Sequence, residues 1–461
     1  MTLPTTKNPS LATSLKQRRE KLAKLIKHPV ILWSGNPARR NFSANKFPFR
    51  ASSHFLYFAG IPLRNAAIRL DGGKLELFMD NPNPETTLWH GITPQPSEIG
   101  EIIGADRVYP LTELSGKIAG AATIAVQDLA TYQSQCQLLN RTVPLSHHAQ
   151  GIDLELAHAL VKLRSHHDSI ALEELHYAAA VSVKAHQAGM QATKHATIEA
   201  DIRGAMEGVI IAHNMSCAYN SIVTIQGEVL HNESYHHQLQ PGDLLLADVG
   251  AETTNGWAAD ITRTWAVSGK FSQTQKDIYE IVLQAHDDCI AKVQPGVEYQ
   301  DLHLLAAEII AAGLVDLGIL QGNPQDLVAM DAHALFFPHG VGHLLGLDVH
   351  DMEDLGDVAG YKTERSRSDR FGLGYLRLNR PLESGMLVTI EPGFYQVPAI
   401  LNDPNFRTLY QNVVNWDRLA EFKDVKGIRI EDDVLVTDSG AEVLTAELPT
   451  KIEEIEDLVL N

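Results

Sequence analysis

The chain has 461 residues, 44% of them hydrophobic and 21% charged, an ordinary globular composition with length enough for two or three domains. A formal charge of −19 at pH 7 excludes nucleic acid and acidic membrane surfaces as partners, since both need a basic patch. No apolar run approaches the ~18 residues of a membrane-spanning helix. The opening stretch MTLPTTKNPSLATSLKQRREKL has no apolar core ahead of its basic cluster, so a secretory leader is not expected either.

A basic amphipathic helix is expected over residues 11–27. Short strands at 30–33, 66–70, 74–79 and 122–126 follow, the second and third joined through Asp71, Gly72 and Gly73 as a hairpin. Together they make a small α/β domain over residues 1–165, without a catalytic grouping and suited to packing and substrate gating. Residues 166–461 differ in character. Asp168 and Ser169 can cap a helix that sets Leu172, Leu175, Ala179 and Val183 on one face. Ser272 and Gln275 form a capping-box signature ahead of a helix carrying Ile278, Ile281, Val282, Ala285 and Cys289, stopped by Pro295 and Gly296. A further helix runs from Asp301 to about Leu317. Strand-like runs at 244–249, 261–267, 386–390 and 428–437 lie between and after these helices. The fold class is α+β, an antiparallel sheet covered by helices. Cys136, Cys217 and Cys289 are scattered and form no CxxC, which fits free thiols in a reducing cytoplasm.

Five residues on or beside the later strands could bind metal: Asp248, Asp260, His343, Glu391 and Glu431. Asp248 ends an apolar run and Asp260 opens DITRTW, with the turn signal Asn255 and Gly256 between them. A hairpin centred on Thr254 sets the two aspartates opposite each other with both carboxylates on one face. Taken alone, the pair fits a structural reading, such as turn capping or a surface ion pair, better than it fits metal binding. The segment PHGVGHLLGLDVHD packs His339, His343 and His350 among glycines, whereas a lone histidine in an apolar run is usually a hydrogen-bonded core residue. Glu391 ends a strand just before Pro392 and Gly393. Arg429 and Glu431, two apart in GIRIEDD, share one strand face. A cross-strand salt bridge is the simpler reading of that pair; the sharper one has Arg429 orienting a ligand carboxylate.

Four carboxylates and one imidazole are too few for two separate closed sites. They suffice for two adjacent divalent ions if some carboxylates bridge. Such ions lower the pKa of water from ~15.7 towards ~7. Oxygen-rich ligation with a single histidine favours Mn²⁺, with Co²⁺ or Zn²⁺ as alternatives. No HExxH, GxSxG or P-loop pattern is present.

The DITRT, HGxGHxxGLDVHD, EPG and GIRIEDD motifs, in this order, resemble those of the pita-bread metallopeptidases, in the branch that holds prolidase and aminopeptidase P. FPFRASSHFLYFAG at 47–60 is similar to the N-terminal domain of that branch, and the likeness continues to PTKIEEIE near the C-terminus. The resemblance implies a curved antiparallel pita-bread domain over 166–461 behind a creatinase/aminopeptidase-P-like domain. It also implies that Asp260 and Glu431 bridge two ions, that Asp248 completes one shell, and that His343 and Glu391 complete the other. Glu391 would carry the proton to the leaving nitrogen. His231, in EVLHNES, and His350 would contact substrate and the developing oxyanion, with His339 lining the same pocket. Substrates would be small peptides with proline second, and the assembly a homodimer or homotetramer.

Within the branch, Arg377 and Arg380 match the LRxxR pattern of prolidases, and the insert at 396–425 is prolidase-like. Arg377 could clamp a substrate's terminal carboxylate, bidentate, and so limit substrates to two residues. TIQGEVLH lacks the Gly-Ser-Gly-containing loop that the family places before its histidine, and the interval from Asp248 to Asp260 is one residue longer than usual. The leading expectation is therefore a cytoplasmic Mn²⁺-dependent Xaa-Pro dipeptidase. The alternative is an Xaa-Pro aminopeptidase acting on longer peptides. A non-catalytic pita-bread binding protein, or a metal-independent hydrolase such as creatinase, fits less well because the whole ligand set is present.

Overall fold

The computed structural model describes residues 9–461, so the leader reading at residues 1–8 lies outside the described residues. The chain divides into two compact units. The first is Met1–Leu172 with Thr254–Gly256 and Met352–Ala359; the second is Glu173–Thr253, Trp257–Asp351 and Gly360–Asn461. Among the described residues no helix is long and apolar enough to cross a membrane.

In the first unit the opening helix is Pro9–Leu25, of the expected length but set two residues earlier than expected. It stops ahead of Pro29, which disfavours helical backbone at the residue before it. A four-stranded sheet has the order Val30–Trp33, Ala67–Asp71, Lys74–Phe78, Arg107–Tyr109, with the last pairing parallel. The motif helix Ser53–Ala59 is buried along its length. The expected strand at 122–126 does not form, apart from one bridge between Val30 and Ala122. Side chains take the bonds a ladder would have used. Asp153 accepts the Thr123 N–H at 2.9 Å, Gln135 accepts the Val126 N–H at 3.0 Å, and the Thr123 hydroxyl donates to the Ile31 carbonyl at 2.8 Å.

Arg18 donates from Nε and Nη2 to Asp168, at 2.7 and 2.8 Å, and Asp168 also accepts the Ala171 N–H at 3.0 Å at the start of helix Ser169–Ala192. Burial would raise the Asp168 carboxyl, but the hydrogen bonds and charge of Arg18 outweigh it and hold the group below the usual carboxylate range. A lowered carboxyl stabilises the fold above its unfolded pKa of about 3.9, and that contribution is lost as pH falls through the folded value.

In the second unit, Ser272 caps helix Gln273–Lys292 by accepting the Gln275 N–H, as the capping box requires, and helix Tyr299–Asp316 packs against it. Leu244–Asp248 lies between Ile222–Thr224 and Thr262–Ala266, antiparallel to both. Its register differs from the expected one. Asp248 faces Thr262 and Glu252 faces Ala258, so the hairpin centres on Asn255 rather than Thr254. Asp260 then stands opposite Gly250, two positions from Asp248. The offset is even, so both aspartates keep the same face. Gly250 also lets the strands close, since a Cβ there would lie 1.8 Å from the Ala259 carbonyl oxygen.

The expected strand at 428–437 is two segments, Gly427–Arg429 and Asp432–Val436. They pair with Gly393–Tyr395 and Leu387–Ile390 in one unbroken register, which sets Glu391 opposite Glu431 in the gap. Pro392 lies in that gap and has no N–H to continue the ladder. Thr262 bridges to Glu431 on one side. On the other, Glu391 N–H donates to the Val341 carbonyl at 2.8 Å and Thr389 N–H to that of His343 at 3.0 Å. Gly342, at φ +151°, permits this approach, since a Cβ there would lie 2.2 Å from the Thr389 carbonyl oxygen.

Replacing Arg18 by alanine is expected to lower stability by about 2–4 kcal/mol at pH 7. Because Asp168 loses its charge in acid, the deficit should shrink below about pH 4. Chemical denaturation of wild type and Arg18→Ala across pH measures both effects.

Candidate metal centre

The strand register brings the candidate ligands to one buried face. Asp260, His343 and Glu431, all buried, each offer a ligand atom, and the three atoms lie within 4.8 Å of one another. Glu391 adjoins them, with Oε1 3.4 Å from His343 Nε2; Asp260 Oδ2 is also 3.4 Å from that nitrogen. Asp248 stands outside this group of three, and both of its oxygens have partners. Oδ2 accepts from Arg429 Nη2 at 2.5 Å, and Oδ1 lies 2.5 Å from the Tyr219 hydroxyl.

The chemistry of this donor set fits a divalent metal. His343 Nδ1 lies 3.0 Å from the Leu344 carbonyl, which can only accept, so Nδ1 carries a proton and Nε2 is the nitrogen turned to the carboxylates, the one able to ligate. A ring nitrogen facing two carboxylate oxygens is an arrangement that a cation, either a proton or a metal ion, resolves. Burial and the Asp248 charge push the Asp260 carboxyl up to about 7. Burial likewise raises Glu431 and Glu391, and their acidic neighbours raise Glu431 further. One guanidinium, Arg429, sits among the four acids. Burial opposes its charge, while Tyr395, Asp248, Glu431 and Glu391 stabilise it.

Two residues missed in the sequence complete the inner network. The Tyr219 hydroxyl lies 2.5 Å from Asp248 and 2.6 Å from Asp260, one proton shared between two aspartates. Burial and those charges raise its pKa well above the usual phenol range, so it stays a donor. The Thr262 hydroxyl donates to Glu431 Oε2 at 2.6 Å and accepts from Arg429 Nε at 2.9 Å. The first threonine of DITRT is a signal for Thr262 only once the strand pairing is known. Nothing local marks Tyr219.

A cavity of about 430 Å³ opens over this face, and all the candidate site residues line it: the four acids and one imidazole, His231, His339, His350, Arg377 and Arg429. His339 donates from Nδ1 to the Gly340 carbonyl at 2.8 Å and accepts from the Tyr395 hydroxyl at 2.9 Å. Burial and Arg429 hold its imidazole down to about 3, so it is neutral. His350 packs its ring 4.2 Å from that of His343. Partial burial and Arg429 lower His231 from its ordinary value. Arg380, the other member of LRxxR, is not among the cavity-lining residues.

Residues 173–438, which hold the whole ligand set, match the family model described as metallopeptidase family M24, and residues 15–127 match the aminopeptidase P N-terminal domain. The chain belongs to the M24 metallopeptidases. A probable Xaa-Pro aminopeptidase of Penicillium rubens is 34% identical over 430 residues, covering 91% of this chain and 90% of its own. One of Aspergillus terreus is 33% identical over 427 residues, covering 90% and 89%. Zn-substituted aminopeptidase P of E. coli, solved in complex with product, superposes with a TM-score of 0.80 at 28% identity and covers 97% of this chain and 98% of its own. The M24 assignment makes the chain a metallo-exopeptidase with a pita-bread catalytic domain behind an aminopeptidase-P-like one.

In this M24 site the shared phenol proton keeps two aspartates turned inward. Tyr219→Phe keeps the ring but removes that proton, and it should weaken divalent-metal affinity by about 10–100-fold. Competition with a chromophoric chelator measures it, with circular dichroism as the check on folding.

Proposed function

We propose that this chain is an Xaa-Pro aminopeptidase, releasing the first residue of peptides whose second residue is proline. The observation that carries this is end-to-end likeness. Relatives bearing that name align over about nine-tenths of both chains, and a solved aminopeptidase P aligns over nearly all of both. The ranking drawn from LRxxR and the 396–425 insert is thereby reversed, and the dipeptidase becomes the second reading. Arg377 lines the cavity in either case. On the aminopeptidase reading it faces the peptide beyond proline instead of closing on a terminal carboxylate.

Two divalent ions, Mn²⁺ by the oxygen-rich donor set, would be held by Asp248, Asp260, His343, Glu391 and Glu431, and when bound would supply Lewis acidity and acidify water at the site. Glu391, as a carboxylate made more basic by burial, takes a proton from the attacking water and returns it to the leaving nitrogen. His231 and His350 offer N–H groups to the carbonyl oxygen as it becomes negative. His339, neutral and fixed by Tyr395, forms a wall. Arg429 holds Asp248 in place. Phe371, Tyr375, Val397 and Ile400 supply apolar cavity surface against which a pyrrolidine ring can pack. The two-domain division at 165/166, a cytoplasmic location and a homodimeric or homotetrameric assembly complete the proposal. The free thiols Cys136, Cys217 and Cys289 support the location.

Chelator-treated protein should lose activity and regain it with Mn²⁺. The restored enzyme should cleave Ala-Pro-Ala with a kcat/KM at least about ten-fold above that for Ala-Pro, some 1.4 kcal/mol in the transition state. Equal or faster turnover of the dipeptide returns the assignment to the dipeptidase.

A further inference from the structure

His231 sits on a long loop that leaves the sheet at Thr224, and a single carboxylate ties the two ends of that loop together. Glu199, fully buried, opens helix Glu199–Ala212. Its Oε1 accepts from the Ile225 N–H at 2.8 Å and from the Thr224 hydroxyl at 3.0 Å. Its Oε2 lies 2.8 Å from His237 Nδ1 and accepts the His237 N–H at 3.3 Å. The backbone reinforces the clasp: the N–H groups of Glu199 and Ala200 donate to the carbonyls of His237 and Tyr235 at 3.3 and 2.9 Å. Within the loop, Asn232 is buried beside His231. It donates from Nδ2 to Thr224 Oγ1 at 3.0 Å and accepts the Ser234 N–H at 2.9 Å.

We infer that Glu199 is a positioning residue for His231, acting through Thr224 and Asn232, and this rests on the aminopeptidase reading of the site. Four donors converge on Glu199, and an ionised carboxylate, with two acceptor oxygens and no proton of its own, answers all of them. Fixing both ends of the loop and hooking the residue next to His231 narrows the positions its ring can occupy over the cavity. A small displacement of a group aimed at a reacting carbonyl is costly, because catalysis of this kind depends on placement. Nothing local in the sequence marks this role, since Glu199 precedes the loop it holds by 25 residues or more.

The test is a double-mutant cycle on Mn²⁺-loaded enzyme with Ala-Pro-Ala as substrate, together with hydrogen exchange. Glu199→Gln turns one acceptor oxygen into an amide facing donors. It should lower kcat/KM by about ten- to a hundred-fold and speed amide exchange at 225–237 without melting helix Glu199–Ala212. In a His231→Ala background the same change should cost less than about two-fold, because the residue it positions is gone. Losses that multiply across the two variants, or unchanged exchange in the loop, overturn the proposal. If Glu199→Gln fails to fold, Asn232→Leu, which cuts only the hook to Thr224, takes its place in the cycle with the same non-additivity expected. If wild type does not turn over Ala-Pro-Ala, the aminopeptidase reading fails, and the exchange measurement on Glu199→Gln still decides whether the clasp orders the loop.

Discussion

Four carboxylates share one buried sheet face with a single guanidinium, and the rest of the site is organised around that imbalance. Charges taken out of water are costly unless paired, and one Arg429 cannot pair with Asp248, Asp260, Glu391 and Glu431 at once. Without cations the cluster holds back its own ionisation, as the raised carboxyls of Asp260, Glu391 and Glu431 show. With divalent ions the same crowding becomes affinity. Arg429, Thr262 and Tyr219 each satisfy some of the lone pairs and leave others directed inward.

The backbone delivers this crowding by a simple device. Asp248, Thr262, Glu431 and Glu391 fall in one row across neighbouring strands, and His343 is set beside Thr389 on the next. Each strand contributes few charged side chains to the face, so each remains mostly apolar and packs as a core strand does. The row is interrupted where it matters chemically. Pro392 stops the ladder between Gly393–Tyr395 and Leu387–Ile390, and the two glutamates occupy the break.

Much of this was legible in the sequence, for a physical reason. An acid at the end of an apolar strand is costly without a partner, so Asp248, Asp260, Glu391 and Glu431 are conspicuous, and the glycine-framed histidines equally so. What escaped depends on pairing between distant segments. Thr262 reads as an ordinary β-branched strand residue until its neighbour proves to be Glu431, and Tyr219 has no local signature. The strand at 122–126 was lost to side-chain hydrogen bonds that no hydropathy pattern records. The expectation of a dipeptidase rested on LRxxR and the 396–425 insert, yet the meaning of Arg377 depends on what occupies the cavity rather than on that spacing.

The hairpin between the two aspartates also limits how its turn can change length. Side chains alternate between the faces of a strand, so adding or removing two residues within a paired strand leaves both acids on the same side, while a change of one there turns one acid outward unless a bulge absorbs it. Here the centre falls on Asn255, one residue from the symmetric position, and the aspartates remain in phase although they no longer face each other. A length change in this hairpin is thus a matter of parity along the paired strands, and a single added residue keeps both acids in phase only at the tip, where the backbone is free of the ladder.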